Sequence, residues 1–318
     1  MNERDRNSGL LLGFDIGGTK CAVIVGSSDG GKPVVLAREA FATEQGPDAT
    51  LSRLCALAHS MLASQGAGKV RGIGISCGGP LDSTTGRVLS PPNLPGWDDV
   101  SVAAFFAEAF KAPSRLENDA NACALAEWMW GAGTGTRNMV FLTFGTGMGA
   151  GLILNGSLYR GANDLAGEIG HSRIAEDGPA CYGKRGSFEG LCSGAGIAKM
   201  ASEHPGLPTD AAGIFRAAAD GDERAARIVS RVADNLGTGI ALLIDILNPE
   251  AVVIGSIFAR QESLLRPGME AAIRREALPG AARVCRILPS RLGDTVGDFA
   301  ALAIASQSCD STSLNKKS

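Results

Sequence analysis

The stretch FDIGGTK, residues 14–20, joins two short apolar runs, LLGFDIG at 10–16 and CAVIVG at 21–26. Two strands linked by a glycine turn are expected. Gly17 and Gly18 let backbone N–H groups approach an anion without a side chain in the way. Thr19 adds a hydroxyl donor, Lys20 closes the turn, and Asp15 just before it could hold a hydrated Mg2+. A Walker loop needs GxxxxGK with Ser or Thr opening a helix, and a Rossmann turn needs GxGxxG there; this turn leads into another strand and is neither. An ordinary β-hairpin is the plain alternative. A second copy of the pattern argues against it: MVFLTF at 139–144 and AGLIL at 150–154 flank Gly145-Thr146-Gly147-Met148-Gly149 in the same way. Superposing Asp15 on Gly145 puts the repeat at close to half the chain, so each half would open with the same strand, turn and strand. Two such turns could grip one polyphosphate from both sides.

The 318 residues suit two packed lobes, since single cores stop growing near ~250–300 residues. Hydrophobic content of 45% is ample for burial, and a net charge of −3 gives no basic footprint for nucleic acid. No run approaches the ~18 apolar residues of a membrane span. The polar start MNERDRNSG has no apolar signal segment, and none of the eight cysteines forms a CxxC pair. Buried thiols in a reducing cytoplasm are expected rather than a disulfide frame. With 43 glycines and 5% aromatics, the chain relies on tight turns and close backbone approaches.

Between and after the hairpins, strands and helices alternate. Helices are expected at 48–64, 98–110, 119–130, 194–203, 209–219, 222–247, 260–277 and 295–307, and strands at 70–77, 114–117, 251–254 and 284–288. This argues for α/β lobes, one at 10–132 and one at 133–307, the closing helix packing back on the first; residues 1–9 and 309–318 are expected to be disordered.

FDIGGTK, FGTGMGAG and the later AVVIGS resemble the phosphate and adenosine motifs of the actin-like ATPase fold shared by sugar kinases, and GEIGH at 167–171 looks like the ROK family of sugar kinases and sugar-responsive repressors. The resemblance runs from about residue 10 to 305. It implies a two-lobed α/β, ribonuclease H-like fold with the active site in the interlobe cleft, ATP and Mg2+ as cofactors, and a homodimer. Gly17, Gly18, Thr19, Lys20, Gly145, Thr146, Gly147 and Gly149 would hold the phosphates, with Mg2+ near Asp15. Gly194 and Gly255 resemble the glycines that flank adenine.

In RLENDANACALAEW, residues 115–128, Asn118 and Asp119 head an alanine-rich helix, where either could cap orphan N–H groups. Alternatively Asp119 accepts the proton of an attacking hydroxyl while a phosphoryl group transfers. It falls on the family's catalytic aspartate, with Asn118 beside it as a sugar ligand. A sugar has no charge to hold, so specificity comes from hydrogen-bonding groups matched to hydroxyls. By resemblance these include Asn93 in SPPNLPGW, Glu168, His171 and Glu189, with Gly78 and Gly79 of SCGGP passing under the ring. The bland readings are a turn asparagine, a strand-ending turn and surface charges on a glycine-rich loop. His59, His204 and the run DGDERAAR at 220–227 are expected to be structural or solvated.

In ROK proteins the segment after GEIGH usually carries CxCGxxGCxE, whose cysteines join the histidine in a structural zinc site. Anchored on Glu189, those cysteines become Ala180, Tyr182 and Ser187, and Cys181 lies one residue off. No zinc is expected, because a closed site needs four ligands; Tyr182 and Phe188 are packing substitutes. The expected activity is ATP-dependent phosphorylation of a hexose or N-acetylhexosamine. A DNA-binding repressor would need a helix-turn-helix ahead of the first turn, and only about a dozen residues precede it. A catalytically idle sugar sensor is the remaining alternative.

Overall fold

In the computed structural model, which describes residues 9–28, 31–66 and 68–314, β1 (Gly9–Ile16) and β2 (Lys20–Ser28) form the expected hairpin, paired from Gly9↔Ser28 to Ile16↔Cys21. The other strands of the first half are β3 (Val34–Ala42), β4 (Val70–Cys77), the short pair β5 (Leu81–Asp82) and β6 (Arg87–Val88), and β7 (Ser114–Asn118). A five-stranded sheet runs in the order β3-β2-β1-β4-β7, antiparallel through β1 to β3 and parallel across β1, β4 and β7. The parallel strands β1 and β4 are the apolar runs read from the sequence, as strands buried on both faces require, whereas β7, SRLEN, lies at an edge. Strand β3 was not expected. It lies at the sheet edge and exposes Val34 and Leu36, and its apolar start VVLA is cut short by Arg38 and Glu39.

Helices α1 (Pro47–Ser64), α2 (Val102–Phe110) and α3 (Asp119–Trp130) belong to this half. Its core stacks Phe14 of β1 on Phe106 of α2 with centroids 3.8 Å apart, and Trp97 is buried to 1% exposure. Burying such a side chain is worth about 1.5–3 kcal/mol.

The second half repeats the plan. Strands β8 (Met139–Phe144), β9 (Met148–Leu154), β10 (Ser157–Tyr159), β11 (Ala251–Ile254) and β12 (Arg286–Pro289) run in the order β10-β9-β8-β11-β12, with the same antiparallel and parallel halves. The duplication is real, but its register differs from the one expected. Ile16 and Cys21 bracket the first turn where Phe144 and Met148 bracket the second, so Asp15 corresponds to Thr143, not Gly145. The turns differ in length by one residue, which glycine counting alone could not show.

Helices α4 (Phe188–Leu191), α5 (Gly194–Ser202), α6 (Ala211–Ala219), α7 (Glu223–Leu247), α8 (Ile257–Glu276) and α9 (Pro279–Val284) cover this sheet. Along α7, Ile228, Val232, Leu236, Ile240 and Ile244 are buried at a four-residue spacing, one stripe of a helix. Asp222 caps it by accepting the N–H groups of Arg224 and Ala225 at 2.8 and 3.2 Å, which makes the charged run a capped helix start. The strand expected at 284–288 begins only at Arg286, because Pro279 opens a helical turn that still includes Val284.

The last helix, α10 (Val296–Leu314), packs on β4, β1 and α3. At Gly74 a Cβ would lie 2.1 Å from the Ala301 carbonyl oxygen, so helix and strand touch main chain to main chain. Contacts divide the chain into two compact units. One holds the chain up to Trp130, Arg160–Leu165 and the chain from Asp294; the other holds Gly131–Tyr159 and Ala166–Gly293. Of the disorder expected at 1–9 and 309–318, residues 1–8 and 315–318 fall outside the described residues, whereas Gly9 opens β1 and 309–314 continue α10, so the ordered chain is longer than expected at both ends.

Candidate active site

In the first unit the parallel register puts Ile16, Cys77 and Asn118 side by side at the ends of β1, β4 and β7. The residues that follow or adjoin them, Asp15, Gly17–Lys20, Gly78, Gly79 and Asp119, therefore share one edge. Ligands of open α/β sheets bind outside these carboxyl ends. The first turn is tied by Gly17 N–H to the Lys20 carbonyl at 3.1 Å. Thr43, at the end of β3, braces it twice: its hydroxyl donates to the Gly17 carbonyl at 2.6 Å and its N–H to the Thr19 carbonyl at 3.1 Å. Sequence reading missed Thr43, whose role depends on strand pairing. Gly18 lies against the Asn93 loop so closely that a Cβ would sit 2.4 Å from the Asn93 carbonyl oxygen. Asn93 is exposed in a loop whose Pro91, Leu94 and Trp97 are buried.

The corner after β7 is organised by Asn118. Its Oδ1 accepts from Ala120 N–H at 2.9 Å, so Asn118 is the cap, and its Nδ2 lies over Gly79. Glu117, 1% exposed, accepts from the N–H of Asn118 and from Nδ2 of Asn121 at 3.1 and 3.0 Å, and Arg160 donates to its other oxygen at 2.7–2.8 Å. Nearby, Ser83 donates its N–H and hydroxyl to Asp164 at 2.8 and 2.7 Å. A glutamate inside a strand, one residue before Asn-Asp, was the available signal for this network.

Asp119 is exposed, yet the protein around its carboxyl partly desolvates it. That desolvation raises its pKa above the ordinary carboxylate value, against a hydrogen bond from Ala120 N–H. Asp15 is pushed up to about 6, first by burial and then by the carboxylates of Asp119 and Asp298, with Lys20 and Arg38 opposing. Asp298 on α10 pairs with Arg38 at 2.7 Å. It was not anticipated, because only the return of α10 to the first sheet brings it near.

The second unit gathers the rest. Its turn is closed by Gly145 N–H to the Gly147 carbonyl at 3.1 Å. Thr143 accepts Gly149 N–H on its hydroxyl at 2.8 Å. Gly194 and Ala195, opening α5, donate to the carbonyls of Gly145 and Thr146 at 2.7 and 3.2 Å. Gly255, at the end of β11, donates to the Leu142 carbonyl at 2.9 Å. Glu168 and His171 are exposed at the two ends of a short 3-10 turn, Ile169–His171 and its cap. That turn rests on β9, where Gly167 accepts Ala150 N–H at 3.0 Å. Glu189 accepts Met148 N–H at 2.8 Å on one oxygen and the Cys181 thiol at 3.2 Å on the other, so the carboxylate expected to hold sugar also braces the glycine turn. Phe188 is wholly buried and the Tyr182 ring lies on His171. Among the described residues no group of three or more His, Cys, Asp or Glu is disposed to hold a metal, and no helix is long and apolar enough to cross a membrane. With Ala180, Tyr182 and Ser187 at the cysteine positions, the donor set does not fit zinc; an oxygen ligand such as Asp15 suits Mg2+.

Comparison with known proteins agrees with this reading. The chain is 31% identical to a glucokinase from Thermotoga maritima over 309 residues, 92% of this chain and 96% of that one. The structure of a ROK family glucokinase from Streptomyces griseus, in complex with glucose and AMPPNP, superposes with a TM-score of 0.76 at 30% identity, covering 94% of this chain and all of that one. A ROK family transcriptional regulator, a homologue of the E. coli MLC protein, superposes with a TM-score of 0.84 at 26% identity over 96% of this chain and 80% of its own. The ROK family description matches residues 11–308. The match over residues 11–308, together with the glucokinase relative and the superposed ROK glucokinase, places the chain in the ROK family, with the actin-like ATPase fold, as a glucokinase-like sugar kinase.

Proposed function

We propose that the chain transfers the terminal phosphoryl group of ATP to a hydroxyl of a hexose or N-acetylhexosamine, with Asp119 as general base. The carrying observation is the edge shared by Asp15, Gly78, Gly79, Asn118 and Asp119, with Asp119 raised in pKa by desolvation. A base serves best when its pKa approaches the working pH while it remains ionised. Asp119 takes the hydroxyl proton as the oxygen attacks phosphorus. Asn118, whose Oδ1 is spent on the helix cap, offers Nδ2 to the sugar, and Asn93, Glu168, His171 and Glu189 offer further partners. Main-chain N–H groups of the two glycine turns receive the phosphates, and positioning and charge neutralisation carry most of the catalysis. Mg2+ would be held through Asp15 and would neutralise phosphate charge. Closure over both substrates would exclude water and suppress ATP hydrolysis.

The same reading has the protein in the cytoplasm as a homodimer without structural zinc. One zinc per chain by metal analysis, or a monomeric mass by light scattering, would remove those parts. The central test is ADP release over a panel of hexoses and N-acetylhexosamines, with ATP and polyphosphate as donors. Asp119→Asn is expected to lose turnover by a factor on the order of 10³ while sugar affinity stays within a few-fold. Wild-type turnover in that variant refutes the role of Asp119, and sugar binding without ADP release in the wild type marks a sensor instead.

A further inference from the structure

We infer that Tyr182 is a positioning residue that holds His171 and Glu189 in their sugar-binding geometry, an inference that rests on the phosphotransfer reading above. The tyrosine ring lies on the imidazole of His171 with centroids 3.6 Å apart and planes 23° from parallel. Its phenol faces the Glu189 carboxylate: burial, then a hydrogen bond to Glu189, pushes the phenol above its ordinary pKa. One side chain thus touches two of the groups assigned to the sugar.

The backbone points the same way. Cys181 and Lys184 exchange both hydrogen bonds at 2.9 and 3.1 Å across a two-residue turn, and the central residues Tyr182 and Gly183 have φ of 54° and 70°. Turns with both central residues at positive φ favour Asn-Gly, and a bulky side chain at the first position is an outlier. Local propensity does not select tyrosine there. Strained residues persist where their surroundings over-determine them, and cluster at functional sites. Here the surroundings are His171 and Glu189, and Glu189 in turn accepts the Met148 N–H of the second glycine turn. A neutral sugar is held by aligned hydrogen bonds, so fixing the imidazole plane and the carboxylate before binding reduces the ordering cost.

The test compares Tyr182→Asn with Tyr182→Phe in the full chain, using the best sugar of the panel. Asparagine suits the turn but removes the ring. It is expected to raise the sugar KM about tenfold while leaving the ATP KM and kcat within about threefold and the Tm unchanged or higher. Phenylalanine keeps the stack on His171 but loses the phenol's bond to Glu189, and is expected to raise the sugar KM by about threefold, less than asparagine does. Proton NMR supplies a readout independent of turnover, because the chain has three histidines. The His171 ring resonances should lose their upfield displacement in Tyr182→Asn and keep it in Tyr182→Phe. An unchanged sugar KM or unchanged His171 resonances in Tyr182→Asn overturns the inference, as does an equal rise in both substrates' KM values. Retained turnover in Asp119→Asn breaks the kinase reading itself. A dead Asp119→Asn beside an unaffected Tyr182→Asn breaks only the role given to Tyr182.

Discussion

The turn after β1 and the turn after β8 close hairpins of the same topology, yet they are furnished differently. Where the first has Asp15, crowded by Asp119 and Asp298, the second has Thr143, whose hydroxyl is taken up by Gly149 N–H. The first turn therefore brings a charge that suits a cation, and the second brings main-chain donors that suit an anion. Their braces differ too. Thr43 holds the first from a neighbouring strand, whereas Glu189 and the start of α5 hold the second. Duplication supplied two equivalent scaffolds, and their side chains then diverged, a carboxylate at one and a hydroxyl at the other.

The sharpest way to break this comparison is to add one methyl group to each turn. Gly18→Ala meets main chain, with its Cβ 2.4 Å from the Asn93 carbonyl oxygen; the loop must move, and a displacement of that size can cost about 10²-fold in kcat/KM. Gly147→Ala meets the end of the Glu189 side chain at 2.8 Å, which can swing aside. A loss of about tenfold, close to one hydrogen bond to a charged group, is expected in the same assay. Equal losses would remove the distinction between a main-chain brace and a side-chain brace.

A charge test sharpens it further. Because the folded protein raises Asp15 from 3.8 to about 6, the native state binds this proton more tightly than the unfolded chain. Its contribution favours folding at low pH and is lost as pH rises through that window. Without Mg2+ or nucleotide, Asp15→Asn should therefore melt above the wild type at pH 7, and the gap should close as pH falls below 3.8, even though the variant loses Mg2+-dependent turnover. A pH-independent gap would mean that packing, not charge, sets the difference. The smallest effects belong to the hydroxyls. Thr43→Val removes the hydroxyl's bonds to the Gly17 carbonyl and the Cys21 thiol, and Thr143→Val its two bonds to the Gly149 main chain; each bond is worth about 1 kcal/mol, or about 2–4 °C in Tm. Thermal scans and the ATP KM check both.

Much of this was legible in the sequence because it rests on local patterns. Glycine turns between apolar runs gave both hairpins, and the Asn118-Asp119 helix head was visible as a corner. What escaped depends on distance in space. Strand β3 hides because an edge strand needs no apolar run. The repeat register was misjudged because turn length is fixed by strand pairing, not by the number of glycines. Thr43, Asp298 and the Glu117–Arg160 pair join positions that only sheet order and the return of α10 bring together. Glu189 was read as a sugar ligand, and its bond to Met148 N–H follows from how α4 packs beside the turn.

The return of α10 also bears on how the protein is made. The sheet that opens the chain is covered by a helix synthesised only after the second unit, where Gly74 waits for Ala301. Until that helix emerges, that face of β1 and β4 has no permanent cover, so the second unit can be finished while the first is still incomplete. Domains of multidomain chains commonly mature in order from the N-terminus; here completion of the first unit needs a segment that follows the second, and a nonsense codon anywhere before Asp294 would leave the earliest strands without their lid.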